Sequence, residues 1–253
     1  MNVFLTGASS GIGAALAKVY AARGAVLGLF ARRAGPPADL ASMLDGSRHA
    51  WYAGDVRDPM ALRAAADDFV ARFGVPDIVI ANAGISVGTS TEYAADIAPF
   101  RAVLDTNVLG VLHTFQPFVA PMRAAGRGKL VGIASVAGFR GLPGAGAYSA
   151  SKAAAISYLE SLRVELDESG VEVITICPGF VATPMTADNP YRMPFLLTAD
   201  AAARSIAGAI DHGRRFYVLP WQMAWLGCLL RLLPRPVYDK LLARRPRKPR
   251  AST

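Results

Sequence analysis

The feature that most restricts this chain is an alternation between short apolar runs and segments whose apolar residues recur with a helical period. The runs are NVFLTG (2–7), VLGLFAR (26–32), HAWYAGDV (49–56), DIVIANAG (77–84), KLVGIAS (129–135), VEVITICPG (171–179) and RRFYVLP (214–220). Between the first two, Ile12, Leu16, Val19 and Tyr20 share one helical face until Gly24 stops the helix. After the third, Asp58 is placed to cap a helix that starts at Pro59 and turns Leu62, Ala66, Phe69, Val70 and Phe73 inward. Further helices are expected over 99–124, 148–168 and 199–212. Repeated βα units of this kind build a parallel sheet covered on both faces, so the expected class is α/β, a doubly wound sheet in a single domain.

Composition removes several alternatives. With 253 residues, 53% hydrophobic and 18% charged, the chain has enough apolar material for a core. Two cysteines, Cys177 and Cys228, make no disulfide framework, and His49, His113 and His212 lack metal-ligand spacing, so reduced thiols, no metal and a cytoplasmic setting are expected. The start resembles no secretory leader. The apolar run Trp221–Leu230 is ten residues, half of what a bilayer span needs. The net charge of +8 is uneven: from Gly213 onward ten Lys or Arg face one acid, Asp239, while the first 212 residues carry 17 basic and 18 acidic side chains. A nearly neutral body with a basic end argues against a fold-wide nucleic-acid surface and for a local device that meets an anionic surface.

The first strand runs into Thr6-Gly7-Ala8-Ser9-Ser10-Gly11-Ile12-Gly13, then a helix. That position suits a dinucleotide pyrophosphate, because backbone amides and the positive end of the helix point at it and glycine lets the backbone come close. The second strand ends at Ala31-Arg32-Arg33, with no carboxylate for a ribose 2′-hydroxyl. A guanidinium there pairs with a 2′-phosphate, which favours NADP(H) and leaves NAD(H) open; a solvated strand end is the other reading. Tyr148 and Lys152, four apart on one helical face, place an ammonium near a phenol, and Ser135 ends a strand at the edge where open α/β sheets bind ligands.

With these motifs in order, together with Asp55-Val56, Asn82-Ala83-Gly84, Asn107 and PGFVAT at 178–183, the chain resembles the classical short-chain dehydrogenases/reductases over about residues 2–220. The resemblance implies a Rossmann-type fold and hydride transfer between nicotinamide and a carbonyl or secondary alcohol. It implies Asn107, Ser135, Tyr148 and Lys152 as the catalytic set. Ser135 would polarise the carbonyl, Tyr148 give the proton, Lys152 lower the phenol pKa and bond the nicotinamide ribose, and Asn107 anchor a water leading to Lys152. It further implies that Gly7, Gly11 and Gly13, with Ser9 and Ser10 between them, line the pyrophosphate and that Ile12 packs close by. Arg32 and Arg33 would meet a 2′-phosphate, and Asp55 and Val56 the adenine. Asn82, Ala83 and Gly84 would shape the centre of the site, and Pro178, Gly179, Val181 and Thr183 the nicotinamide end. A dinucleotide-binding regulatory protein without turnover is the competing function.

Residues 180–197 read as a substrate lid, and their apolar side chains, with Phe139, Leu142 and Pro143, favour an apolar or lipid-like substrate. Arg140 and Arg192 are candidates for an anionic substrate group. Residues 221–253 form an appended apolar helix and basic tail, with Trp221, Trp225, Leu229 and Leu232 on one face and Met223, Leu226, Leu230 and Leu233 on another. Such a helix has to be covered, by the substrate pocket, by a partner subunit, or by the inner face of an anionic membrane met through Trp and the six basic residues from Lys240 to Arg250. The resemblance implies a homodimer or homotetramer paired through the helices holding Asn107 and Tyr148, where the Ala153–Ala155 face permits close approach, and nucleic acid is not an expected partner.

Overall fold

A computed structural model describes residues 1–44, 48–243 and 246–250. The strands are β1 (Asn2–Thr6), β2 (Val26–Ala31), β3 (His49–Ala53), β4 (Ile78–Ala81), β5 (Gly128–Ile133), β6 (Val171–Pro178), β7 (Val181–Ala182), β8 (Leu197–Thr198) and β9 (Phe216–Leu219). The helices are α1 (Gly11–Ala22), α2 (Ala38–Ala41), α3 (Pro59–Phe73), α4 (Ile97–Leu104), α5 (Gly110–Ala125), α6 (Gly146–Glu165), α7 (Ala199–Asp211), α8 (Trp221–Leu232) and α9 (Arg235–Leu242). Seven strands form one sheet in the order β3-β2-β1-β4-β5-β6-β9, with every neighbouring pair parallel. The chain is thus a Rossmann-type α/β fold in a single domain. Strand order reverses direction at β1 and β4, and the crevice beyond their carboxyl ends is where such sheets bind ligands.

The pleat of β1 divides the core. Val3 and Leu5 join Leu16, Tyr20, Ile206 and Ile210, so α1 and α7 cover one face. Phe4 points the other way, to Phe69, Phe115, Phe118 and Leu159 of α3, α5 and α6. Its ring meets Phe69 edge-on at 5.6 Å and Phe118 at 4.8 Å. Asp58 caps α3 as its position suggests, accepting from the N–H groups of Met60 (2.9 Å) and Ala61 (3.2 Å).

Two elements differ from the periodic reading. The segment expected as one helix over 99–124 starts at Ile97 and is interrupted by a π turn over Asp105–Leu109 before α5 carries it to Ala125. The extra residue per turn is invisible to a 3.6-residue period, and it shifts the register at Asn107. The helix expected at 148–168 begins at Gly146 and ends at Glu165, followed by a short 3-10 turn over Asp167–Ser169.

Candidate active site

The turn after β1 is shaped by close approach. Gly7 has φ +72°, and a Cβ on it would stand 2.8 Å from the backbone of Ala83 at the end of β4. Asn82 ties the two ends together: its side-chain amide donates to the carbonyls of Thr6 (3.0 Å) and Gly7 (3.3 Å). Ser10 precedes α1 without capping it through its side chain, so the first-turn amides are left to a ligand. The cleft above is lined by Gly7, Ser9, Ser10, Gly11, Ile12, Arg32, Asp55, Val56, Asn82, Ala83 and Gly84 on one side and by Ser135, Tyr148, Lys152, Pro178, Gly179, Val181 and Thr183 on the other. Glycines that admit no Cβ, uncapped amides and a basic rim fit a dinucleotide.

Gly13 corrects the sequence reading. It does not line the cleft; it sits beneath it, where a Cβ would collide with the carbonyl oxygen of Gly7 and come within 2.5 Å of the Asn82 amide nitrogen. Its role is to let α1 pack against the turn. The two arginines separate as well. Arg33 does not line the cleft and donates to the carbonyl of Ser9 at its edge (3.3 Å), whereas Arg32 lines it and makes no hydrogen bond among the described residues. Asp55 is held below the usual carboxylate range, first by its hydrogen bond to Arg57 and in smaller part by Arg32.

On the opposite wall, β5 delivers Ser135, whose Oγ accepts from Ala137 N–H (3.1 Å) and lies 3.4 Å from the Pro178 carbonyl. The first turn of α6 brings Tyr148, and one turn later Lys152 follows on the same face, its ammonium 5.8 Å from the centre of the phenol ring. That ammonium donates to the Ile133 carbonyl at 2.7 Å. Burial brings the Lys152 pKa down to about 8 and pushes the nearby Cys177 thiol up to about 12. The Tyr148 phenol is also raised, by burial first, with the Ser135 hydroxyl pulling the other way.

Asn107 is fully buried at the π turn and does not line the cleft. Its Oδ1 accepts from Ile85 N–H (2.8 Å), while Nδ2 donates to the Ile85 carbonyl (2.9 Å) and to Ser151 Oγ (3.0 Å). The side chain thus braces the chain leaving β4 against α6. Ile85 and Thr186 also line the cleft and were not singled out from sequence. Thr186 Oγ1 donates to Val181 O (2.7 Å) and accepts from Thr183 N–H (3.1 Å), which folds the lid's first turn. The pair of threonines three apart was the available signal.

The appended helices close the far end. Met223 and Gly227 of α8 pack so tightly on Gly179 and Phe139 that a Cβ at Gly179 would stand 2.6 Å from Met223 and one at Gly227 would stand 2.5 Å from Phe139. Arg140 donates to the carbonyls of Leu230 in the last turn of α8 (2.9 Å) and of Leu233 just after it (3.2 Å), and its guanidinium lies 4.1 Å over the ring of Tyr238 in α9. This overturns Arg140 as an anion-binding candidate: it is spent on the helix end. The other face of α8 stays uncovered, with Trp221 67%, Trp225 73%, Leu229 59% and Leu232 77% exposed. Two of the tail's basic residues, Arg244 and Arg245, lie outside the described residues. Among the described residues no helix is long and apolar enough to cross a membrane.

Comparison with known proteins agrees with this geometry. A family model described as short chain dehydrogenase matches residues 1–193. An uncharacterized oxidoreductase of Myxococcus xanthus is 38% identical over 246 residues, which is 94% of each chain. Cis-4-hydroxycyclohexanecarboxylate dehydrogenase of Sinomonas cyclohexanicum is 35% identical over 210 residues, 81% of this chain and 82% of the relative. Among solved structures, a short chain dehydrogenase/reductase of Burkholderia phymatum in complex with NAD superposes with a TM-score of 0.80 at 27% identity, covering 99% of this chain and 98% of that one. A cleft of this shape at the sheet's switch point, in a chain alike along nearly its whole length to such enzymes, belongs to the short-chain dehydrogenase family, NAD(P)-linked oxidoreductases of the CH–OH/C=O pair.

Proposed function

We propose that the enzyme prefers NADP(H) and interconverts an apolar ketone and its secondary alcohol. The observation that carries the preference is the end of β2. Ala31 offers no carboxylate, and the Arg32 guanidinium lines the cleft without a hydrogen bond among the described residues, available to a 2′-phosphate. When bound, the nicotinamide supplies or accepts the hydride. Gly7, Ser9, Ser10, Gly11 and Ile12 would hold the pyrophosphate, Asp55 and Val56 the adenine. Asn82, Ala83 and Gly84 would form the floor, with Pro178, Gly179, Val181 and Thr183 at the nicotinamide end. Ser135 orients the substrate oxygen, and Tyr148 gives that oxygen its proton in reduction and takes it back in oxidation. Lys152, whose ammonium lies 5.8 Å from the centre of the phenol ring, would bond the nicotinamide ribose; Asn107 acts behind them as a positioning residue.

Titration of NADPH and NADH in parallel, with Arg32→Ala alongside, tests the preference. The expected result is tighter NADPH binding in the wild type, with the difference lost in the variant; equal binding of both nucleotides by the wild type refutes it. Tyr148→Phe is expected to cut turnover by about a thousandfold with NADPH affinity kept, in the range for loss of a positioned general acid. Retained turnover would end the assignment.

An apolar substrate is supported by residues 180–197, where Met185 lines the cleft and Phe195 and Leu196 are exposed. The relative named cis-4-hydroxycyclohexanecarboxylate dehydrogenase supports a secondary alcohol on an alicyclic ring as the reacting group. The uncovered face of α8 supports peripheral attachment to an anionic membrane. Its two tryptophans and two leucines lie beside Arg231, Arg235 and Lys240, the pattern of a helix that rests in a lipid headgroup layer. For subunit pairing, Ile97, Leu109, Leu112 and Val164 supply exposed apolar surface on α4 to α6. Ala153 and Ala154 are exposed there too, whereas Ala155 is turned into the core.

A further inference from the structure

Residues 246–250 of the basic end are folded back against two loops whose neighbours in sequence line the cleft. Past α9, residues 246–250 run between two loops. On one side Gly88 N–H donates to the Pro249 carbonyl at 3.1 Å and Gly88 forms an isolated parallel bridge with Arg250. On the other, Gly144 comes so near that a Cβ there would stand 2.7 Å from Arg247. The first loop leaves β4 directly after the cleft-lining Gly84 and Ile85; the second leads into α6 and Tyr148.

Arg250 fastens this strap. Its Nε and Nη2 donate to the two oxygens of Asp96 (2.8 and 2.9 Å), and its guanidinium lies 3.6 Å from the centre of the Tyr93 ring. The Asp96 carboxylate is only 6% exposed and also accepts from Ser90 N–H at 2.7 Å. A carboxylate in that position needs a counter-charge, and the described residues offer it Arg250. The strap is therefore a built part of the fold.

What the strap presents is Lys248. Its half-buried ammonium donates to Ser86 Oγ at 2.9 Å and forms no salt bridge among the described residues; burial disfavours its charge, and the carboxylate of Asp188 offsets that only in part. A lysine ammonium has three donors, and one neutral hydroxyl uses one of them. Desolvating a cation is costly unless an anion completes it. Arg140, the other cation near the entrance from the α6 side, is already spent on α8.

We propose that Lys248, held by Ser86 and by the Arg250–Asp96 clasp, binds a carboxylate remote from the reacting carbon, so that the substrate is a keto acid or hydroxy acid with an apolar body. This rests on the oxidoreductase reading and narrows it. The substrate's carboxylate takes the donors that Ser86 leaves free, displacing the long-range attraction of Asp188, and its distance from Tyr148 selects the length of the apolar body.

The test uses the full chain with NADPH and two matched pairs, 4-oxocyclohexanecarboxylate with its methyl ester and 9-oxodecanoate with its methyl ester. Wild type is expected to favour at least one acid over its ester by about tenfold or more in kcat/KM, through KM, as charge-assisted hydrogen bonds allow. Lys248→Met is expected to erase that ratio, and Arg250→Met to reduce it by loosening the strap; NADPH titration and thermal unfolding of each variant report an intact fold. An acid-to-ester ratio near one in wild type, or a ratio unchanged in Lys248→Met, overturns the inference. Turnover of the esters alone overturns it and leaves the oxidoreductase reading standing, whereas turnover of no compound by protein that binds NADPH overturns both.

Discussion

Replacing Gly13 by alanine separates two roles that a glycine-rich turn can combine. If Gly13 touched the cofactor, alanine would weaken nucleotide binding and leave the nucleotide-free protein as stable as before. The structure puts the added methyl against the Gly7 carbonyl oxygen and 2.5 Å from the Asn82 amide nitrogen. Neither neighbour is the free end of a flexible chain, so the turn itself has to move. Overpacking against backbone costs about 3 kcal/mol. Disturbing the Asn82 bonds to Thr6 and Gly7 costs about 1 kcal/mol more. Alanine returns about 1 kcal/mol in helix propensity. The net loss of about 3 kcal/mol corresponds to a Tm lower by about 6–12 °C for a chain of this size. Circular dichroism melts without nucleotide read it directly. Gly208→Ala is the control, because Gly208 lies in α7 with open space where its Cβ would go. There alanine is expected to raise stability by about 0.5–1 kcal/mol. A Gly13→Ala protein that melts like wild type but binds NADPH poorly would refute the reasoning.

Other outcomes follow from the same geometry. Burial holds Lys152 at about 8 against an ordinary 10.5, so between those values the unfolded chain binds a proton that the folded chain does not, and this group's contribution to stability rises with pH across that window. Lys152→Met is expected to be the more stable protein at pH 7, with the gap in Tm narrowing by pH 10; a gap independent of pH contradicts the buried charge. Asp58→Ala removes the acceptor for two α3 amides and should cost about 1 kcal/mol, read by urea unfolding. In vesicle flotation, wild type is expected to float with phosphatidylcholine vesicles containing phosphatidylglycerol and to be released by high salt. A Trp221→Ser/Trp225→Ser double variant that floats equally well would exclude α8 as the contact.

Local patterning explains how much was legible. The pleat that sends Val3 and Leu5 one way and Phe4 the other is a period of two written in consecutive residues, and Asp58-Pro59 announces α3 because capping is a contact between near neighbours. The turn of Gly7 and Gly11 was legible for the same reason, since a positive φ is a local demand. The π turn at Asn107 was not, because one inserted residue leaves the apolar stripe nearly in phase while changing where a single side chain points.

By itself, then, the sequence determined the alternation of the main strands and helices and the residue types carried to the ends of those strands: glycines at a helix start, Arg32 after β2, Ser135, Tyr148 and Lys152. Tertiary structure alone decided which glycine faces the ligand and which, like Gly13, holds a helix against the turn. It decided that Asn107 braces Ile85, that Arg140 serves the end of α8, and that one apolar face of α8 is covered while the tryptophan face is open. It also decided that Arg250 finds Asp96, 154 residues away. The physical reason is range. Propensity, capping and periodicity act over a few neighbouring residues, whereas burial and ion pairing depend on which distant segments the folded sheet brings together, and desolvation at such a contact decides whether a charge is a surface feature or part of the site.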